Sequence, residues 1–130
     1  MAHARSKNSK MKKLKLSLPT LRERKRYIYF QIISEKGEEF TYSDLESAIW
    51  NTILDFLGEE GVSKTSVWLI KDLWDHKKQT GILRCNHKSV QDVLSSLGLI
   101  NRLGDNRITF KILRISGTIK SIKSITSKNG

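Results

Sequence analysis

Between residues 27 and 116 the apolar positions switch repeatedly between a period of two and a helical period. Tyr27–Ser34 (Tyr-Ile-Tyr-Phe-Gln-Ile-Ile-Ser) is aromatic and β-branched and runs into the turn Glu35-Lys36-Gly37, which predicts a first strand. Ile28, Phe30 and Ile32 then share one face, and Tyr27, Tyr29 and Gln31 the other. From Thr41 the period lengthens. Thr41 is placed to cap a helix, Asp44 lies three residues on near the positive end of its dipole, and Leu45, Ile49, Ile53 and Phe56 form its core stripe. Gly58 stops it. Ser66–Leu73 predicts a second strand, Asp75–Gln79 a hairpin connection, and Thr80–Cys85 a third strand. Asn86 is the candidate N-cap of a second helix with the stripe Val90, Val93, Leu94 and Leu97, ended by Gly98. After the turn Gly104-Asp105-Asn106, Arg107–Ser116 predicts a fourth strand with Ile108, Phe110 and Ile112 on one face. Thr118 would cap a short last helix whose Ile119, Ile122 and Ile125 recur at spacing three.

The order β-α-β-β-α-β plus a short C-terminal helix specifies an α+β fold. It is the ferredoxin-like, RNA-recognition-like split βαβ sandwich, with two helices on one face of a four-stranded antiparallel sheet. The domain is expected over residues 18–125, behind a basic flexible tail at 1–17 and ahead of a frayed end at 126–130. RNA-recognition modules share this architecture with metabolic and regulatory domains, so the fold alone assigns no function.

Composition narrows the classes. A chain of 130 residues suits one domain, and 38% apolar content allows a modest core. A mean hydropathy of −0.42 without any long apolar run excludes a helical membrane span. The basic N-terminus is followed by no apolar segment of signal-peptide type. Cys85 is the only cysteine, which fits a reducing, cytoplasmic location. With His3, His76 and His87 it makes no recognisable zinc site, and no bound metal or cofactor is expected on this chain.

Charge changes the picture most. The 24 Lys and Arg residues outnumber 13 Asp and Glu, for a net charge of +11. The excess is arranged in blocks: residues 1–26 carry a net +9, residues 27–75 a net −7, and residues 76–130 a net +9. Such a chain points to a polyanion as partner, with one region that nucleic acid avoids. Arg22, Arg24, Lys25 and Arg26 concentrate cations just before the first strand, where Arg forks onto phosphate oxygens and Lys acts as a point charge. Lys64, Arg84, Lys111, Arg114 and Lys120 are further candidates for RNA contact. Ser116-Gly117-Thr118-Ile119-Lys120 sets hydroxyls, a glycine and a lysine at a helix start, which suits either a phosphate or an ordinary cap.

Base-reading aromatics and catalytic groups are not evident. Gln79-Thr80-Gly81-Ile82-Leu83-Arg84-Cys85-Asn86 does not match the aromatic third-strand signature of RNA-recognition motifs, so Tyr27 and Tyr29 are expected to pack under the last helix. No paired carboxylates or nucleophile–base arrangement stands out, and Cys85 with His87 reads as a core cysteine beside an exposed histidine. Around the first helix, Trp50, Leu54 and Leu57 fall about 100–160° from the side on which Leu45, Ile49, Thr52 and Phe56 centre. They are assigned to a protein interface, with the chain's own N-terminal arm as the alternative cover.

Several strings carry a resemblance: Thr20-Leu21-Arg22-Glu23-Arg24-Lys25-Arg26-Tyr27-Ile28, Ala48-Ile49-Trp50, Phe56-Leu57-Gly58-Glu59, Gly61-Val62-Ser63-Lys64, Thr80-Gly81-Ile82-Leu83-Arg84 and Ser116-Gly117-Thr118-Ile119-Lys120. In this order and spacing the chain resembles the ribonuclease P protein component 2 family of archaea and eukaryotes, over roughly residues 18–123. The resemblance implies a non-catalytic subunit of the enzyme that removes 5′ leaders from precursor tRNA. It also implies that the ribonuclease P RNA holds Mg²⁺ and cleaves. The implied partners are that RNA, ribonuclease P protein component 3 in a two-plus-two heterotetramer, and the other protein subunits, with precursor tRNA as substrate of the whole. The lead at 1–17 and the Trp74–Lys78 hairpin run longer than the family pattern, so the resemblance implies no role for them. The competing class is a stand-alone basic RNA-binding module, ribosome-associated or regulatory. A small-ligand enzyme or sensor on the same fold lacks pocket chemistry in the sequence.

Overall fold

The computed structural model describes residues 24–123. Its elements run β1 (Lys25–Ser34), α1 (Tyr42–Thr65), β2 (Trp68–Leu69), β3 (Thr80–Asn86), α2 (Val90–Leu99), β4 (Arg102–Leu103) and β5 (Asn106–Ser116). The antiparallel sheet has the order β2-β3-β1-β5-β4. Without the two-residue β4, this is the split βαβ arrangement expected from the periodicity. The tail at 1–17, Arg22, Ile125 and the end at 126–130 lie outside the described residues.

The alternation in β1 is realised as predicted. Ile28 lies opposite Leu83 and Phe30 opposite Gly81 on β3, and Ile32 lies opposite Phe110 on β5. These side chains form the main core with Leu45, Ile49 and Ile53 of α1 and Val93 and Leu97 of α2. Phe30 and Phe110 meet with ring centroids 5.3 Å apart. A Cβ on Gly81 would stand 2.8 Å from the Phe30 ring and 3.0 Å from the Trp74 ring, so the glycine makes room for both.

Thr41 caps α1 through a full capping box: its hydroxyl accepts from the Asp44 N–H, and the Asp44 carboxylate accepts from the Thr41 N–H. Helical backbone breaks at Gly58 (φ 75°, ψ 173°) and then resumes to Thr65. The expected stop is therefore a kink. The stripe also shifts: Phe56 is 47% exposed, whereas Leu57 packs against the core. The buried row Leu45, Ile49, Ile53, Leu57 follows an i+4 ridge, which winds obliquely around the helix axis and carries the contact from 56 to 57. Trp50 also packs against the core, so of the three residues assigned to a protein interface only Leu54 (42% exposed) stands well out in solvent.

The second strand is much shorter than Ser66–Leu73. After the Ile70 N–H bonds the Ile82 carbonyl, Lys71–Leu73 wind into a 3₁₀ turn closed by Leu73 N to Ile70 O and Trp74 N to Lys71 O. Local turn bonds thus replace the ladder. Asn86 does not cap with its side chain. Its amide donates to the Lys64 carbonyl, and a 3₁₀ turn at His87–Ser89 precedes α2, which runs one residue past Gly98.

Gln79 closes the hairpin between β2 and β3 with a left-handed backbone (φ 54°) and a buried side chain. Its Oε1 accepts from Phe40 N at 2.9 Å, and its Nε2 faces Phe40 O at 3.1 Å and His76 O at 2.7 Å. The hairpin is thereby clamped to the segment that enters α1. Past β5, residues 119–123 are helical and the Thr118 hydroxyl accepts from Ser121 N, as expected of a cap. Ile122 is fully buried against Tyr29 and Ile82 on the face of the sheet opposite the two helices.

Candidate nucleic-acid interface

Register places the predicted cations. On the side away from α1 and α2, Trp68 lies opposite Arg84, Arg84 opposite Tyr27, and Tyr27 opposite Ser116, forming one row across four strands. Beyond Tyr27, Lys25 lies opposite Asn86, and the Arg24 carbonyl accepts from His87 N at 2.8 Å. The bond from Asn86 to the Lys64 carbonyl ties the end of α1 to this corner. Arg26 turns its guanidinium towards Gly117, 3.4 Å from where a Cβ would stand, and donates to Lys25 O. Lys120 follows in the next turn.

One end of the sheet therefore gathers Arg24, Lys25, Arg26, Lys64, Arg84 and Lys120 from four separate segments. Arg114 sits one row further along, opposite Tyr29. Lys111 does not join them. It lies opposite Gln31, towards the other end of β1. Arg22 falls outside the described residues.

Arg24, Lys25, Lys64, Arg114 and Lys120 are exposed, while Arg26 and Arg84 are half-buried. None of them is held by a carboxylate: among the described residues the one ion pair is His76 with Glu39, 3.5 Å apart. Unpaired cations at one corner keep their charge available for phosphates. Glu35, Glu38 and Glu39 lie in the connection at the opposite end of β1, so part of the acidic block is separated from the cations in space as well as in sequence.

Two further titratable groups are shifted by burial. Burial pushes the Cys85 thiol up to about 11, which keeps it protonated and unreactive at neutral pH. Tyr42 is raised to about 12, by burial first and then by its hydrogen bond to Glu46. Its hydroxyl lies 2.9 Å from Leu69 O and 3.1 Å from the Glu46 carboxylate, pinning α1 to β2. Among the described residues no group of three or more His, Cys, Asp or Glu side chains could hold a metal ion. No helix among them is long and apolar enough to cross a membrane. Tyr29 is buried beneath Ile122, and Tyr27 packs at the edge of the same cluster. One residue escaped the sequence analysis. Trp68, placed there simply within a strand, is 55% exposed beside Arg84.

The model of the Rpp14/Pop5 family matches residues 26–126, nearly all of the domain just described. The chain belongs to the Rpp14/Pop5 family. Among its relatives, ribonuclease P protein component 2 of Pyrococcus furiosus is 47% identical over 105 residues, covering 81% of this chain and 84% of that protein. The protein of the same name from Pyrococcus horikoshii is 40% identical over 113 residues, covering 87% and 91%. A chain in the cryo-EM structure of yeast ribonuclease MRP superposes with a TM-score of 0.57 at 14% identity, covering 83% of this chain and 92% of that one. That likeness extends the fold of this Rpp14/Pop5 member to a distant sequence.

Proposed function

We propose that the chain is the RNA-binding protein subunit of a ribonuclease P, supporting a catalytic RNA in the removal of 5′ leaders from precursor tRNA. The corner of the sheet where Arg24, Lys25, Arg26 and Arg84 converge without carboxylate partners is the observation that carries this, and membership of the Rpp14/Pop5 family gives it a setting. In this arrangement the RNA supplies the Mg²⁺ and the chemistry. The protein contributes positive charge that offsets phosphate repulsion in the folded RNA, so less Mg²⁺ is needed. Ribonuclease P protein component 3 is the proposed protein partner, in a two-plus-two assembly meeting this chain at Leu54 on α1, and the location is cytoplasmic. A stand-alone RNA-binding module would share the corner, but the matched relatives carry the name of a ribonuclease P component.

Reconstitution tests the proposal. With ribonuclease P RNA and the other protein subunits, adding this chain should restore precursor-tRNA cleavage at low Mg²⁺, while the chain alone cleaves nothing. Neutralising Arg24, Lys25, Arg26 and Arg84 to Gln should weaken RNA binding and lower the salt slope by roughly 0.7–0.9 per lost contact. Correct cleavage by the protein alone, or salt slopes unchanged in the fourfold variant, would overturn it.

A further inference from the structure

We propose that Trp68 is a stacking platform for an unpaired nucleobase of the bound RNA, with Arg84 and Lys25 engaging the adjoining phosphates. The proposal deepens the RNA-binding function above and rests on it. Trp68 is the most exposed aromatic residue among those described, at 55%, and it belongs to neither apolar cluster. Its neighbour Leu69 enters the main core, so β2 needs no contact from the indole to stay in place. An indole left in water is costly, and an aromatic plane repays that cost when a second plane covers it.

The surroundings select the second plane. Arg84 lies directly across the strand pair, and beside it a recess of about 250 Å³ is lined by Lys25, Ser66, Arg84, Cys85 and Asn86. That lining holds two cations and no carboxylate, which favours a segment carrying phosphate over an acid-poor or basic protein surface. Bases in an A-form duplex are stacked on one another and present only their edges. A flat indole beside basic side chains therefore suits a loop, bulge or single-stranded stretch. The rest of this face offers little: Ile122 covers Tyr29 and Ile82, while the Trp68–Arg84 end lies outside that cluster.

Two probes separate the outcomes: a short single-stranded RNA carrying 5-iodouridine, and a blunt RNA duplex of similar length, each titrated against the full chain. Trp68→Ala should lose roughly ten-fold or more in affinity for the single strand, leave duplex affinity unchanged, and keep the salt slope. Trp68→Phe should recover most of the loss, and irradiation should cross-link the iodouridine to Trp68 in the wild type. Arg84→Gln should instead lower the salt slope on both probes. Equal single-strand affinity of Trp68→Ala and wild type overturns the platform while leaving the RNA-binding function intact. So does a variant that loses a protein partner yet keeps both RNAs. If the wild type binds neither RNA, the broader function fails first and the platform with it. Unchanged melting temperature of Trp68→Ala is the control that the fold is preserved.

Discussion

On one side of the sheet Ile28, Phe30, Leu83 and Cys85 are sealed beneath α1 and α2, and on the other the same strands present Tyr27 and Arg84, with Trp68 of β2 beside them. The alternation along β1 and β3 is equally regular on both sides. Cover is what differs: two helices close the first face, while the second is covered over Tyr29 and Ile82 by Ile122 from the segment after β5. A closed face spends its residues on packing. A part-covered face keeps cations and one aromatic in solvent, and that leaves them available to a ligand.

The sharpest way to break this comparison is to truncate one side chain on each face. Phe30 is fully buried and packs against Phe110. Phe30→Ala should cost about 3–5 kcal/mol, enough to unfold much of a marginally stable domain. Trp68→Ala, a larger deletion, should change stability by no more than ~0.5 kcal/mol. Urea midpoints measured side by side decide it. Similar costs at the two positions would mean that the second face is as much core as the first.

This asymmetry also explains what could be read in the sequence. β1, the α1 cap and the stripe of α2 were legible because alternation, a Thr-x-x-Asp pair and i, i+3, i+4 spacing each depend on neighbours a few residues away. The replacement of Phe56 by Leu57 was not, because it depends on how obliquely α1 crosses the elements beneath it. The shortening of β2 was hidden too, since Val67-Trp68-Leu69-Ile70 is an apolar run of strand type and the 3₁₀ turn at Lys71–Leu73 begins only after Ile70 has paired with Ile82. Among the candidate cations, Arg24, Lys25 and Arg26 were legible as a run. Their meeting with Arg84, some sixty residues on, is set by strand register, and that same register puts Trp68 beside them.

A smaller effect is expected where the two layers are tied together at the hairpin. Gln79 is buried and exchanges bonds with both the N–H and the carbonyl of Phe40, besides facing His76 O. Gln79→Ala leaves Phe40 N without that acceptor, which should cost about 1–3 kcal/mol. The left-handed backbone at this position adds strain for any residue but glycine, so Gln79→Gly should recover part of the loss through its backbone. Thermal melts of the two variants check the order. Equal destabilisation would place the whole effect in the side-chain bonds.

An effect on stability as small as that of Trp68→Ala is expected at Leu54, and the comparison becomes most useful there. Trp50, Leu54 and Leu57 follow one another around α1 at helical spacing, but Trp50 and Leu57 reach the core whereas Leu54 is 42% exposed. The three together form a shoulder where packing gives way to surface. Glu46, Asp55, Glu59 and Glu60 on the same helix make that element unfavourable for RNA, so an apolar residue here suits a protein partner instead. Leu54→Asp should shift the unfolding free energy by no more than ~0.5 kcal/mol and leave circular dichroism unchanged. Covering a leucine contributes roughly 1.5–3 kcal/mol, so the wild type should retain the proposed partner, ribonuclease P protein component 3, in a pull-down and the variant should release it. Trp50→Ala should do both, weakening the partner and lowering the melting temperature, because that side chain serves the core as well. If Leu54→Asp holds component 3 as firmly as the wild type does, the partner docks elsewhere, and the shoulder on α1 is only the rim of the core.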